Sequence, residues 1–181
     1  MRNILIIGGT KGIGKAIVDL LVNENIIICM SRNSTEFSHN NYSHITFDST
    51  VDEFPDFEKV DTLIYCPGTI NLKPISTLSI EDFRKDFEIN VIGAVKAIKK
   101  YIPLLKKGFN PSILLFSTVA TKLGMPYHAS VSASKSAIDG IVKTLGAELA
   151  PKIRINAIAP TITKTELAAK ILRNDKVVEN M

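Results

Sequence analysis

Hydrophobic residues along the chain fall into short runs that are separated by longer stretches of mixed character. Most of these runs lack the strict alternation of a sheet with one solvated face. Strands that are apolar on both faces are typical of a parallel sheet covered by helices. Six runs are therefore predicted to be strands: residues 3–7, 25–30, 44–47, 61–66, 112–117 and 154–159.

Three longer stretches between the runs repeat apolar residues every three or four positions, which is the period of an amphipathic helix. The stripes are Ile13, Ile17 and Leu21; Phe83, Phe87, Val91, Val95 and Ile98; and Ala133, Ala137, Ile141, Leu145 and Leu149. Alternation of strands and helices predicts an α/β fold with a doubly wound parallel sheet in three α/β/α layers. Residues 31–43 have no such period and are predicted to be a loop. Residues 51–59 contain Pro55 and are predicted to hold at most a short helix.

Composition limits the possible functions of the 181 residues, which we interpret as one domain over 1–181. With 45% hydrophobic and 22% charged residues the chain is globular, and it contains no apolar run long enough to span a bilayer. The net charge of +4 comes from scattered lysines, which predicts no nucleic-acid surface but suits a phosphorylated ligand. Cys29 and Cys66 lie in apolar runs, so we expect buried thiols in a reducing compartment, the cytoplasm, and no disulfide. No metal site is predicted.

A glycine loop, GGTKGIG, lies between the first predicted strand and the first predicted helix. Gly8 allows a tight turn, Gly12 allows the backbone to approach a pyrophosphate, and Gly14 allows the helix to pack closely on the strand. The unpaired N–H groups at the helix N-terminus favour an anion. Thr10 and Ile13 complete the predicted cofactor loop. An ordinary glycine-rich turn is the alternative interpretation.

The end of the second predicted strand indicates which dinucleotide is bound. A site for NAD would place an acidic side chain there, but the sequence has Ser31 followed by Arg32. Arg32 suits a 2′-phosphate, and Lys11 in the glycine loop adds a second cation. We therefore predict NADP(H) as the cofactor. The alternative is that both cations are solvated and bind nothing.

These features resemble the short-chain dehydrogenase/reductase family, and the resemblance extends from Met1 to about Leu167. It implies a Rossmann-like fold and an oxidoreductase that transfers a hydride between nicotinamide and a carbonyl or alcohol. Asp48 matches the acid that contacts the adenine. Gly68 is the only residue retained from the family's Asn-Asn-Ala-Gly motif, which reads YCPG here. Pro160, Ile162 and Thr165 match residues that contact the nicotinamide.

The resemblance also implies a catalytic set. Asn90 matches the helix asparagine, Thr118 stands at the position of the catalytic serine, and Lys135 matches the catalytic lysine. For Asn90 the alternative is a satisfied buried amide, but the resemblance favours a helix bend that anchors a water or the lysine. For Lys135 the alternative is a lysine that extends from a helix surface. Contact with the nicotinamide ribose requires no catalysis, so Lys135 is a firmer prediction for cofactor binding than for proton transfer.

Val131 occupies the position of the family's catalytic tyrosine, four residues before Lys135, and has no proton to donate. Tyr127 and His128, in the loop before the third helix, are candidate proton donors, although taken singly each is better explained as a rim or loop residue. A water held by Thr118 and Lys135 is a third possibility. A non-catalytic NADP(H)-binding or interaction protein of the same fold is the alternative function.

The family usually continues for several tens of residues beyond this point. We therefore expect a C-terminally shortened sheet, with residues after about 168 forming a tail or an incomplete element. The helix of small residues from 132 to 146 resembles the family's dimer-forming helices, which implies a homo-oligomer, either dimer or tetramer. Substrate identity, reaction direction and the group that replaces the tyrosine remain open at the level of sequence.

Overall fold

Six parallel strands form one sheet in the computed structural model, which describes residues 1–169. The predicted C-terminal tail therefore lies almost entirely outside the described residues. The strands are β1 (Asn3–Ile7), β2 (Ile26–Ser31), β3 (Tyr42–Thr46), β4 (Thr62–Tyr65), β5 (Ser112–Phe116) and β6 (Arg154–Ile158).

Helices cover both faces of this sheet. They are α1 (Gly12–Leu21), α2 (Ile80–Phe87), α3 (Gly93–Leu105), α4 (Ala120–Leu123) and α5 (Ala129–Leu149). A π-helical turn (Glu88–Ile92) joins α2 to α3 without a break. Helix α2 begins at a capping box, in which the hydroxyl of Ser79 accepts from the N–H of Asp82 and the Asp82 carboxylate accepts from the N–H of Ser79.

The strand order is β3-β2-β1-β4-β5-β6, and every pair is parallel. This order confirms the predicted doubly wound, Rossmann-like α/β sheet. The chain reverses its winding direction between β1 and β4, and ligands of such sheets bind in the crevice at this switch point. Register pairs Ile7 of β1 with both Met30 and Tyr65, so the carboxyl ends of three strands meet at one edge.

Two apolar clusters hold the layers together. The larger lies between the sheet and helices α3 and α5, and includes Leu5, Leu63 and Ile113. The smaller lies on the other face, where Val18 of α1 packs with Ile6 and its neighbours. Each fully buried aliphatic side chain contributes about 1.5–3 kcal/mol through removal from water. The sheet edge that carries the site is therefore supported from both sides.

The elements differ from the predicted ones at a few places. Strand β3 begins at Tyr42, two residues earlier than predicted, and residues 51–59 contain no helix. The predicted second helix is two α-helices with the π-helical turn between them, because one extra residue is accommodated near Asn90. The short helix α4 was not predicted. None of the helices within residues 1–169 has the length and apolar composition that a membrane span requires.

Candidate functional site

A cleft of about 1440 Å³ opens at the carboxyl ends of β1, β2 and β4. This is the switch point of the sheet, where the loops on either side diverge and leave a crevice that favours ligand binding. Apolar residues and glycines at these three strand ends and at the end of β3 form part of its lining: Ile7, Gly8, Met30, Phe47, Pro67 and Gly68. Polar residues of the glycine loop, of the ends of β2, β3 and β4 and of helix α2, with a few residues of α5 and the segment after β6, complete the lining.

The glycine loop turns sharply off β1 and runs directly into α1. Gly8 has a φ of 80° and donates its N–H to the carbonyl of Met30 at 2.7 Å, and Gly12 has a φ of 53°. Both φ values lie in the left-handed region that favours glycine. A Cβ on Gly14 would collide with the carbonyl oxygen of Gly8. The loop therefore forms a backbone cradle that side chains at these positions would destroy, as a pyrophosphate site requires.

Lys11 extends from this loop towards the C-terminal segment. Its Nζ lies 2.7 Å from a carboxylate oxygen of Glu166, and both side chains are more than half exposed. The neighbouring Thr165 approaches the glycine loop, since its Cγ2 lies 3.2 Å from the position of a Cβ on Gly12. The structure thus brings Thr165 next to Gly12 and Glu166 next to Lys11.

Ser31 at the end of β2 is buried, and its hydroxyl has three hydrogen-bond partners. It lies 3.0 Å from the carbonyl of Asn33, 3.0 Å from the hydroxyl of Thr10 and 2.9 Å from Nε2 of His44. The carbonyl can only accept, so Ser31 donates its single proton there and accepts from Thr10 and from the Nε2–H of His44. Arg32, which is exposed and lines the cleft, is then the residue free to meet a ribose substituent.

Asp48, just after β3, also lines the cleft. Its carboxylate accepts hydrogen bonds from the Thr50 hydroxyl at 2.7 Å and from the Thr50 N–H at 2.9 Å. These bonds, with a smaller contribution from the charge of Arg32, lower the pKa of Asp48. The carboxylate is therefore held in its charged form as an acceptor for an amino group such as that of adenine.

Asn90 and Lys135 approach the cleft from two helices at Gly68. Asn90, in the π-helical turn, is 1% exposed, and Lys135, in α5, is 8% exposed. A Cβ on Gly68 would lie 3.3 Å from Oδ1 of Asn90 and 3.5 Å from Nζ of Lys135. Burial lowers the pKa of Lys135 to about 8, because desolvation penalises the ammonium. The absence of a side chain at Gly68 therefore leaves space next to both polar groups.

The amide of Asn90 is fixed on one side only. Its Nδ2 donates to the carbonyl of Asp86 at 2.8 Å and to the hydroxyl of Thr69 at 2.9 Å. Its Oδ1 is buried and has no hydrogen-bond partner among the residues that the structure describes. A buried acceptor without a partner indicates a group that is supplied from outside the protein chain, such as a water or a ligand.

The remaining catalytic candidates lie around the start of α5 and the end of β5. The hydroxyl of Thr118 accepts from the N–H of Ala120 at 3.3 Å. Tyr127 is 60% exposed, and Nδ1 of His128 lies 2.7 Å from the carbonyl of Pro126. This contact requires a proton on Nδ1, because the carbonyl can only accept. Val131 is buried, and none of these four side chains appears in the lining of the cleft.

Asn90 and Lys135 stand next to Gly68 but are not part of the cleft lining, and neither are Pro160, Ile162 and Ile13. The carbonyl of Pro160 accepts from the N–H of Val119 at 3.3 Å, which ties the segment after β6 to the end of β5. Ile162 is half-buried in the same segment. Ile13 packs its side chain against the smaller core cluster, so only its backbone is available to a phosphate.

Some residues of the site were not found from the sequence. His44 bonds to Ser31 across the sheet, and Thr69 holds the amide of Asn90. Tyr65, within the unusual YCPG motif, and Gly93, three residues after Asn90, contact one another beneath the π-helical turn. The departure of YCPG from the family motif was the one signal available for Tyr65, and it was interpreted as a loss.

The strand order and the glycine loop at the switch point define a protein of the Rossmann-like α/β class. A family model described as "Enoyl-(Acyl carrier protein) reductase" matches residues 45–181. An uncharacterized oxidoreductase from Schizosaccharomyces pombe is 30% identical over 193 residues, which cover 98% of this chain and 77% of that protein. The chain belongs to the short-chain dehydrogenase/reductase family.

Other relatives agree with this assignment. Cyclopentanol dehydrogenase from Comamonas testosteroni is 27% identical, with 93% of this chain and 76% of that enzyme covered. A short chain dehydrogenase family protein from Francisella tularensis has a solved structure with a TM-score of 0.85 and 27% identity, covering 99% of this chain and 76% of that one. The structure of ElxO with NADP bound matches with a TM-score of 0.83 and 26% identity, covering 97% and 79% of the two chains.

Proposed function

We propose that the protein is an NADP(H)-dependent oxidoreductase that transfers a hydride between the nicotinamide and a carbonyl or alcohol substrate. The observation that carries the proposal is the side-chain-free cradle at Gly8, Gly12 and Gly14, which opens onto the cleft with Arg32 and Lys11 at its rim. Relatives named as dehydrogenases and the NADP-bound neighbour support the same class of reaction.

The chain's own residues supply each part of the cofactor site. The glycine loop and the N-terminus of α1 offer backbone N–H groups for the pyrophosphate. Asp48 offers a carboxylate for the adenine amino group, and Lys135 offers an ammonium for the ribose next to the nicotinamide. The cofactor, when bound, supplies the hydride, and the protein supplies orientation, a proton and electrostatic stabilisation.

Preference for the 2′-phosphate rests on two cations. Arg32 is exposed at the strand end and offers a planar fork that matches a phosphate. Lys11 is paired with Glu166, but an ion pair between exposed side chains is worth only about 0–1 kcal/mol. A phosphate carries more charge than a carboxylate, so it would displace Glu166 from Lys11 with little opposition.

For the proton, Lys135 is the donor that the geometry favours over Tyr127 and His128. Its ammonium lies next to Gly68, which lines the cleft, and burial brings its pKa to about 8, close to the operating pH of a general acid. Tyr127 faces solvent, and His128 uses its Nδ1–H on the carbonyl of Pro126. We propose that Lys135 transfers its proton directly or through a water held by Oδ1 of Asn90.

The second candidate is a non-catalytic NADP(H)-binding protein. Val131 favours it, since a buried valine fills the position at which the family places a phenol. The two candidates share the glycine loop, Arg32 and Asp48, and differ only in whether a proton donor faces the substrate. Cofactor binding alone therefore does not separate them.

One experiment tests both candidates. NADPH is titrated by its fluorescence, and its oxidation is then followed against a panel of ketones and aldehydes at pH 7. Saturable binding with turnover is expected, and Lys135→Met should reduce kcat by roughly 10²-fold to 10⁴-fold. Lys143→Met, an exposed lysine on the same helix, is the matched control and should leave kcat unchanged. Binding without turnover would favour the non-catalytic protein, and no binding would refute both.

We also propose a homo-oligomer in the cytoplasm. An apolar groove of about 570 Å³ runs between the outer faces of α3 and α5, and a Cβ on Gly140 in this groove would meet open space. These helices resemble the family's dimer-forming pair, and Cys29 and Cys66 are both free thiols, as a reducing compartment favours. Light scattering should give a mass above that of one 19.9 kDa chain, and Ile141→Lys should lower it.

A further inference from the structure

Tyr65 ends β4 at the first position of the motif that differs from the family pattern. The side chain is only 3% exposed, and it extends beneath the π-helical turn that carries Asn90. A tyrosine buried in this way must find a partner for its hydroxyl, because an unsatisfied buried hydroxyl is costly.

The partners of the hydroxyl lie in and below the π-helical turn. Its Oη is 2.7 Å from the carbonyl of Ile89 and 3.1 Å from the hydroxyl of Ser49. A carbonyl can only accept, so Tyr65 donates to Ile89 and accepts from Ser49. The residue before Asn90 is therefore anchored to the sheet by a direct hydrogen bond.

Gly93 provides the space for this arrangement. A Cβ at this position would collide with Oη of Tyr65 and would also lie 3.1 Å from Cζ and 3.2 Å from Oγ of Ser49. Gly93 has ordinary helical dihedrals, so its backbone does not require glycine. Close approach of the Tyr65 hydroxyl explains why this helical position has no side chain.

The same turn sets the amide of Asn90. π-helical turns form where an extra residue or an inserted group disturbs the regular helical hydrogen bonds, and they concentrate at functional sites. Tyr65 holds the turn from the sheet side, while Asp86 and Thr69 hold Nδ2 of Asn90. Oδ1 of Asn90 is then directed to the space at Gly68 that it shares with Lys135.

We infer that Tyr65 is a positioning residue for Asn90. Its hydroxyl holds Ile89 and occupies the space left by Gly93, which fixes the π-helical turn. The fixed turn directs Oδ1 of Asn90 to the reacting region. In YCPG the phenol takes over a supporting task at the strand end, so the altered motif is a substitution and not a loss. The effect on catalysis rests on the proposed function, whereas the effect on the orientation of Asn90 does not.

A second tyrosine in the same protein serves as the matched control. Tyr101 is fully buried, and its hydroxyl donates to the carbonyl of Pro55 at 2.9 Å. It makes the same type of bond as Tyr65, from α3 to a loop away from the cleft. If hydroxyl removal acted only through stability, Tyr65→Phe and Tyr101→Phe would change activity to the same extent.

Activity tests the catalytic part of the inference. Tyr65→Phe should lower kcat by roughly 10-fold to 100-fold, because small displacements of a positioned group have effects of this size, while the Kd of NADPH stays within about twofold. Tyr101→Phe should leave kcat within about twofold. In an Asn90→Ala background, Tyr65→Phe should cause no further loss. Additive losses, or equal effects of the two tyrosine variants, would overturn the inference.

A readout without cofactor tests the positioning directly. The side-chain amide resonance of Asn90, assigned by nitrogen-15 NMR in the free protein, should move in Tyr65→Phe and stay in place in Tyr101→Phe. An unmoved resonance in Tyr65→Phe would refute the inference whatever the enzyme does. Absence of turnover in the wild-type protein would instead refute the proposed function, so the two failures are distinguishable.

Discussion

Lys135 makes the stability of the protein rise with pH between about 8 and 10.5. Its ammonium is 8% exposed, and burial lowers its pKa from 10.5 to about 8. Between these two values the unfolded chain holds a proton that the folded protein has released. The free energy of unfolding therefore rises with pH across this range. This gain from Lys135 is complete above pH 10.5 and is lost as the pH falls through about 8.

The size of the effect follows from the separation of the two values. A separation of about 2.5 corresponds to about 3 kcal/mol, since each pKa unit is worth about 1.4 kcal/mol. Removal of the charge by Lys135→Met eliminates this dependence. At pH 7 the variant should be more stable than the wild-type protein by up to about 3 kcal/mol, and this advantage should decline towards zero at pH 10.5.

Urea unfolding at pH 7, 8, 9 and 10 measures this difference. Cys66 works in the opposite direction, because burial raises its pKa to about 12, and its charge interacts with that of Lys135, so both proteins are compared in a Cys66→Ala background. Lys143→Met, on the exposed face of α5, should match the wild-type protein at every pH. A stability difference between Lys135→Met and wild type that does not change with pH would refute the assignment of a desolvated ammonium.

Three further changes test the cofactor site and the vacant tyrosine position. Arg32→Asp should reduce the preference for NADPH over NADH by roughly 10-fold to 100-fold, through loss of charge-assisted hydrogen bonds, and an unchanged ratio of the two Kd values would contradict the phosphate assignment. Gly14→Ala should abolish NADPH binding and destabilise the fold by about 1–3 kcal/mol, because its Cβ collides with the Gly8 carbonyl, whereas Gly140→Ala meets open space and should bind normally. Val131→Tyr should raise kcat at least tenfold in the reductase assay, and no gain would show that the missing phenol does not limit the rate.

The fold was predictable because each element has a strong local signal. All six predicted strands are present, since apolar runs bounded by polar residues have few alternatives in a sheet covered on both faces. The long stripe from Phe83 to Ile98 also gave the correct helical region. It did not reveal the π-helical turn at Asn90, because one additional residue shifts the apolar period by less than the width of the buried face.

The candidate site was predictable only where a motif fixes the backbone. The glycine loop has this property, and its geometry follows from Gly8, Gly12 and Gly14. The pairs that shape the rest of the site join distant residues, such as Lys11 with Glu166, and Ser31 with His44. Nothing in either sequence neighbourhood specifies such a partner, because each contact depends on how the chain crosses the sheet.

Two of the departures from the family pattern, at Tyr65 and at Val131, differ in whether the surrounding structure has adapted to them. At Tyr65 it has: Ser49 donates to the phenol, Ile89 accepts from it, and Gly93 leaves it room. A motif that had merely lost its function would not need three matched neighbours. At Val131 no phenol replaces the tyrosine, yet the buried ammonium at Lys135 has a pKa near 8 without one. Adaptation around Asn90 preserves the asparagine's position, which a protein that only binds the dinucleotide would not require, and this favours a rearranged enzyme over a non-catalytic one.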